Sequence, residues 1–142
     1  MNLHFIIVPL ISALIAQIIK LIIDGVNGQF TWKDLNSYGG MPSSHAALVT
    51  SLFAMIGYFS GWNTPATAVA LVFAIIVIRD AVGFRRVIGK HAKEINQLVH
   101  GLEPTENYKY NHLKERIGHT PLQIFFGVLT GTIVTILYIL IF

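Results

Sequence analysis

Cysteine is absent, which excludes a disulfide framework, a thiolate nucleophile and any cysteine-based metal site. Charge is scarce: Asp, Glu, Lys and Arg make up 12% of the 142 residues, against roughly 25% in an average soluble domain. With 54% hydrophobic residues, that scarcity excludes an ordinary soluble globule. It also excludes a disordered tail, which needs low hydrophobicity and high net charge. No Lys or Arg precedes Lys20, so the apolar N-terminus lacks a signal peptide's basic leader and reads as a retained span. Ten basic residues face seven acidic ones, for a net charge of +3. In a soluble chain that excess would point to nucleic acid. Here no nucleic-acid partner is expected, and the placement of the charges carries the meaning.

Apolar sequence is abundant. Four stretches, at about 3–23, 46–62, 65–84 and 120–142, approach the ~20 residues needed to cross a ~30 Å hydrocarbon core. Gln17 and Lys20 interrupt the inner part of the first, Arg79 and Asp80 stand near the end of the third, and the last is uncharged. The second carries Thr50, Ser51, Gly57 and Ser60, small residues that suit close helix packing. Residues 24–41 are rich in Gly and Asn and read as a loop. From about Arg86 to Leu102, Val87, Ile88, Ile95, Leu98 and Val99 recur at helical intervals, with Lys90, Lys93, Glu94 and Asn96 between them. That pattern predicts an amphipathic helix on the bundle or the membrane surface, stopped by Glu103-Pro104. A second short helix is expected over 111–117. The fold class is therefore all-α: a polytopic membrane helical bundle forming a single domain, 1–142. It has about four transmembrane helices plus the amphipathic helix in the 85–118 segment.

An even number of spans places both termini on one side. All ten Lys and Arg then fall on the other, which the positive-inside rule makes cytoplasmic. The same map gathers Lys20, the start of the second span at Met41-Pro42-Ser43-Ser44-His45, Arg79 and Asp80, and Gly118-His119-Thr120-Pro121 at one end of the bundle.

Pro42-Ser43-Ser44-His45 has the composition of a helix start, with Pro in the first turn and Ser as cap. Such a start offers free N–H groups and a positive dipole end to an anion. His45 can give a proton to a leaving oxygen; the plainer alternative is a capped helix with an incidental histidine. His119 also opens a helix, where a neutral imidazole can attack phosphorus if its other nitrogen is held by an acceptor. Gln123, one turn on, and Glu115, one turn before if the helix continues there, are the acceptors within reach. The alternative is a capping or surface histidine. Arg85 and Arg86 suit bidentate grip of phosphate oxygens, or else snorkel to headgroups beside the membrane. Arg79 and Asp80 lie close to a membrane boundary, as charges of the kind that usually face a cavity or else as flanking residues that snorkel to headgroups. Lys20 is a phosphate clamp or a snorkelling lysine, depending on whether it points inward. His91, beside Lys90 and Lys93, is a solvated histidine or a rival nucleophile. No His, Asp or Glu cluster has metal-binding spacing.

The segments GGMPSSHAALVTSLFA, IVIRDAVGFRRVIGKHA and LKERIGHTPLQIFFGVLTG, in this order, resemble the divergent branch of the type-2 phosphatidic acid phosphatase superfamily. That superfamily also includes acid phosphatases and vanadium-dependent haloperoxidases. The resemblance implies a metal-free reaction in which one histidine becomes a phosphohistidine and the histidine of a PSGH motif acts as acid. Carried over, His45 matches the acid, and Pro42, Ser43 and Ser44 its anion-binding turn. His119 matches the nucleophile, followed by the Pro and the Gly-containing apolar helix. Arg85 or Arg86 matches the motif arginine. Gln123 stands where the superfamily has an acidic residue, and Asn27 where it has an arginine seven positions after Lys20. More than 30 residues separate Arg85 from His119, whereas Arg85 to His91, with Gly89 between, keeps the superfamily's short spacing.

The expected function is that of an integral, cell-membrane phosphatase or phosphotransferase acting on a lipid phosphate at the cytoplasmic face. It needs no cofactor or metal, and phosphate or vanadate would occupy the site. A non-catalytic phospholipid-headgroup binder or translocator that keeps the phosphate pocket is the alternative. A homo-oligomer that completes the narrow bundle is left open.

Overall fold

A computed structural model describes residues 3–28, 40–101 and 110–142. The centre of the Gly/Asn-rich loop, Lys33, the Glu103-Pro104 helix stop and Lys109 lie outside the described residues. The helices are α1 (His4–Val26), α2 (Ser44–Ser60), α3 (Pro65–Val82), α4 (Phe84–His100) and α5 (Pro121–Ile141). Threonine and serine caps start three of them. Ser43 Oγ accepts from Ala46 N–H at 3.3 Å, Thr64 Oγ1 from Thr67 N–H at 3.3 Å, and Thr120 opens α5 in a capping box with Gln123. Pro65 and Pro121 occupy first-turn positions, where the missing N–H costs nothing.

Three helical stretches, His4–Val26, Pro65–His100 and Pro121–Ile141, are long and apolar enough to cross a membrane; Ser44–Ser60 is a shorter apolar helix. The molecule is thus a helical membrane bundle. Its many exposed large aliphatic side chains, such as Leu14, Val69, Ile76 and Leu140, suit a lipid surround rather than water. At 17 residues, α2 spans about 26 Å and packs against α1, α3 and α5.

Backbones approach closely around α2. A Cβ on Gly127 would collide with the Ser43 carbonyl, and one on Gly131 with the Ala47 carbonyl. Farther along, Thr135 and Ser51 join hydroxyls at 2.8 Å. This Gly-xxx-Gly-xxx-Thr stripe on α5 replaces hydrophobic bulk with close approach and an interhelical hydrogen bond, as lipid-embedded helices do. On α1 the buried ridge is Val8, Ser12, Ala16, Lys20 and Asp24, each four residues after the last, so Lys20 points into the bundle. The inward alternative holds for Lys20: it is 3% exposed, and its aliphatic stem lies against Gly40.

The amphipathic helix forms as expected, but its inner face is not the apolar one. Gly89, Ala92 and Asn96 are the buried residues of α4. Phe84, Val87, Ile88, Ile95 and Leu98 are exposed. The helix expected over 111–117 does not form; the chain there is an irregular strap. The reason is Asn96, which takes over the strap's main-chain hydrogen bonding. Its Oδ1 accepts from Leu113 N–H at 3.0 Å and from the Tyr110 hydroxyl at 2.5 Å, and its Nδ2 donates to Leu113 O at 2.9 Å. Close by, a Cβ on Gly89 would lie 2.7 Å from the carbonyls of Glu115 and Ile117, so glycine lets the strap rest on α4.

Candidate functional site

Two main-chain hydrogen bonds assemble the site. Ala81, in the last turn of α3, has a carbonyl with no partner inside its helix, and His119 N–H donates to it at 2.9 Å. Ser43 N–H donates to the Gln123 carbonyl at 3.1 Å, joining the start of α2 to the start of α5. The end of α3 and the beginnings of α2 and α5 therefore meet, with His45, Asp80, Arg85 and His119 lining one crevice. That crevice measures only about 10 Å³, room for about one water.

His119 is 6% exposed. Its Nδ1 lies 3.3 Å from Gln123 Oε1, and the same oxygen accepts from Thr120 N–H at 2.9 Å. The capping box thereby fixes which end of the Gln123 amide faces the ring. An oxygen there can only accept, so Nδ1 carries the proton when the ring is neutral. Burial pushes the His119 pKa down. The Gln123 hydrogen bond pushes it up, His45 and Lys20 push it down, and the Gly40 carbonyl raises it; the net shift is downward from 6.5. The neutral ring is the favoured form.

Arg85 Nε donates to Asp80 Oδ2 at 2.5 Å, a charge-assisted bond from the start of α4 to the end of α3. His45 sits in the first turn of α2 and lines the crevice, in the fields of Arg85, Asp80 and Lys20. Ser43 is fully buried and its hydroxyl caps α2; it lines neither this crevice nor the wider cavity beside it. Ser44 is half-buried beside it. Arg79 is exposed. Glu115 does not support His119: without a helix over 111–117 it is not one turn before the ring, and its Oε1 accepts from Asn96 Nδ2 at 2.8 Å instead. His91 is exposed and lies about 160° around α4 from buried Gly89, on the side away from the strap that leads to His119. Among the described residues, no three metal-ligating side chains converge.

A wider cavity of about 350 Å³ adjoins the crevice, and His119 lines both. Its wall includes Arg86, Lys90, Lys93, Arg116 and Gln123. Sequence reading missed Asn96 as the strap's anchor. The available signal was an amide in helical register with the small residues Gly89 and Ala92. It also missed Lys90, Lys93 and Arg116 as one group, because the strap and α4 are brought together only by folding.

The model of the divergent PAP2 family matches residues 1–134. An uncharacterized membrane protein of Bacillus subtilis (strain 168), YuiD, is 38% identical over 144 aligned positions, covering 90% of this chain and 91% of the relative. No solved structure matches. With nearly the whole length matched, including every residue that lines the crevice, the chain belongs to the divergent PAP2 family.

Proposed function

We propose that the protein is a lipid phosphate phosphatase or phosphotransferase whose reaction runs through His119 and His45. One observation carries this reading: a buried imidazole, its Nδ1 held by a fixed amide oxygen, shares a crevice with a second histidine and an arginine. His119 Nε2 gives its electron pair to phosphorus as the phosphorus–oxygen ester bond breaks. Protonated His45 donates its proton to the leaving alcohol oxygen. Water then attacks the phosphohistidine while neutral His45 takes a proton from it, releasing phosphate and restoring both rings. Arg85 stabilises the equatorial oxygens. The crevice is too small for a phosphoryl group, so Arg85 must swing from Asp80 as substrate enters. Lys20 adds a buried positive charge from α1 and, behind burial and His45, contributes to keeping the His119 ring neutral.

The substrate is amphiphilic, because the site lies at one end of a membrane bundle. Positive-inside asymmetry makes that end cytoplasmic. All eight described Lys and Arg fall at or beyond the site's end of the helices, while His4, Phe5, Phe59 and Tyr138 cluster at the opposite end. Phosphate or vanadate is the expected occupant, without metal or cofactor.

A non-catalytic headgroup binder is the second reading. It is favoured by Gln123, whose amide orients an imidazole but cannot neutralise its cation, and by the engagement of Arg85 with Asp80. Phosphate release from a panel of lipid phosphates separates the two. On the first reading, His119→Ala abolishes release and trapped phosphohistidine, and His45→Ala lowers release by about 10²–10⁴-fold. Equal release from wild type and both variants removes the mechanism. Saturable binding without release leaves the second.

A further inference from the structure

The wide cavity holds a disproportionate share of the protein's charge. Arg86, Lys90, Lys93 and Arg116 line it with one carboxylate, Glu115. That gives a formal +3, equal to the excess of the entire chain, so the remaining charges balance. Ordinary flanking cations would snorkel to headgroups beside the helix's apolar side. Here, at about 100° per residue, Arg86, Lys90 and Lys93 lie on roughly the opposite side of α4 from exposed Ile88, Ile95 and Leu98. With that apolar side in lipid, the cationic side faces water. Glu115, on the strap, is held to α4 by Asn96 at 2.8 Å. The floor is also fixed, because the strap rests on Gly89 and crosses the start of α4 at Gly118, whose φ of +90° suits glycine.

We propose that this cavity is a second anion site, distinct from the crevice, that takes a multiply charged phosphoryl group from the aqueous side. Free diphosphate and the phosphate of a lipid headgroup share that chemistry. At about 350 Å³ it has the size of a small-molecule pocket, which starts near ~300 Å³. It lies on the Gln123 side of His119, whereas His45 and Arg85 are on the crevice side. In-line displacement puts the leaving oxygen opposite the attacking nitrogen, toward His45, so the group bound in the cavity is not the leaving group. The site does not depend on turnover at His119.

The test is calorimetric titration of the detergent-solubilised protein with inorganic pyrophosphate. A parallel arm uses nanodiscs of phosphatidylcholine with and without phosphatidic acid. Lys90→Gln/Lys93→Gln should weaken pyrophosphate binding at least about tenfold, and Lys90→Arg/Lys93→Arg should retain it. Arg85→Gln should leave this binding event intact. Unchanged affinity in the double Gln variant overturns the proposal, as does loss of all binding in Arg85→Gln alone. Suppression of pyrophosphate binding by phosphatidic acid assigns the site to a headgroup, and indifference assigns it to a soluble anion. If no lipid phosphate is hydrolysed yet the lysine-dependent binding stands, the phosphatase reading fails and this site survives.

Discussion

An amide beside an imidazole orients the ring but supplies no charge to its cation, and Gln123 makes that difference measurable. Burial, the leading influence on His119, favours the neutral ring. For stability the sign follows directly. The unfolded chain, with a histidine pKa near ~6.5, binds a proton that the folded chain resists. The stabilising contribution is present above that pH and is lost as pH falls through it toward the lower folded value. For activity, the nucleophile stays available below the same point, so the acid limb of kcat/KM is expected below pH 6.5. Gln123→Glu would bring a carboxylate to Nδ1 and raise the His119 pKa, moving that limb to higher pH. A pH–rate profile of both proteins measures the shift; identical acid limbs would mean that His119 is not the titrating group.

Close approach of α2 and α5 sets the distance between the two histidines, because one stands at the start of each helix. Gly131 lies where any Cβ meets the Ala47 carbonyl, and overpacking of this kind costs about 1–3 kcal/mol. Gly131→Ala is therefore expected to lower the thermal midpoint in detergent and to reduce turnover, with His45 and His119 forced apart. Gly25→Ala, where a Cβ meets nothing, is the control and should leave both unchanged. Part of this element-level arrangement was legible from residue order. Ser43 and Thr120 mark helix starts through local hydrogen bonding that needs no distant partner, and Pro121 marks one through its fixed φ. The orientation of α4 was not, since periodicity reports an apolar side without saying whether lipid or protein covers it. Nor was the strap, where a buried amide, Asn96, outweighs the local helical tendency of 111–117.

For the molecule as a whole, the ends of the bundle are chemically unlike, and that asymmetry is open to a direct measurement. The chain has no cysteine, so single cysteines introduced at exposed Asn63 and Asn111 report sidedness without background. With the site at the cytoplasmic end, a membrane-impermeant maleimide added to intact cells should label Asn63→Cys and spare Asn111→Cys. Labelling of both from outside would refute the orientation. His45, His119 and Arg85 converge because α3 ends where α2 and α5 begin, a consequence of antiparallel packing rather than of any motif alone.

Residue order was enough for the membrane bundle, the helix starts and Gln123 within reach of His119, because each rests on composition or on neighbours within a turn. Folding was needed to bury Lys20, to tie Arg85 to Asp80, to turn His91 away, and to group Lys90 and Lys93 with Arg116. Those outcomes depend on how helices rotate against one another and where a strap crosses them. Such long-range packing has no signature in local spacing.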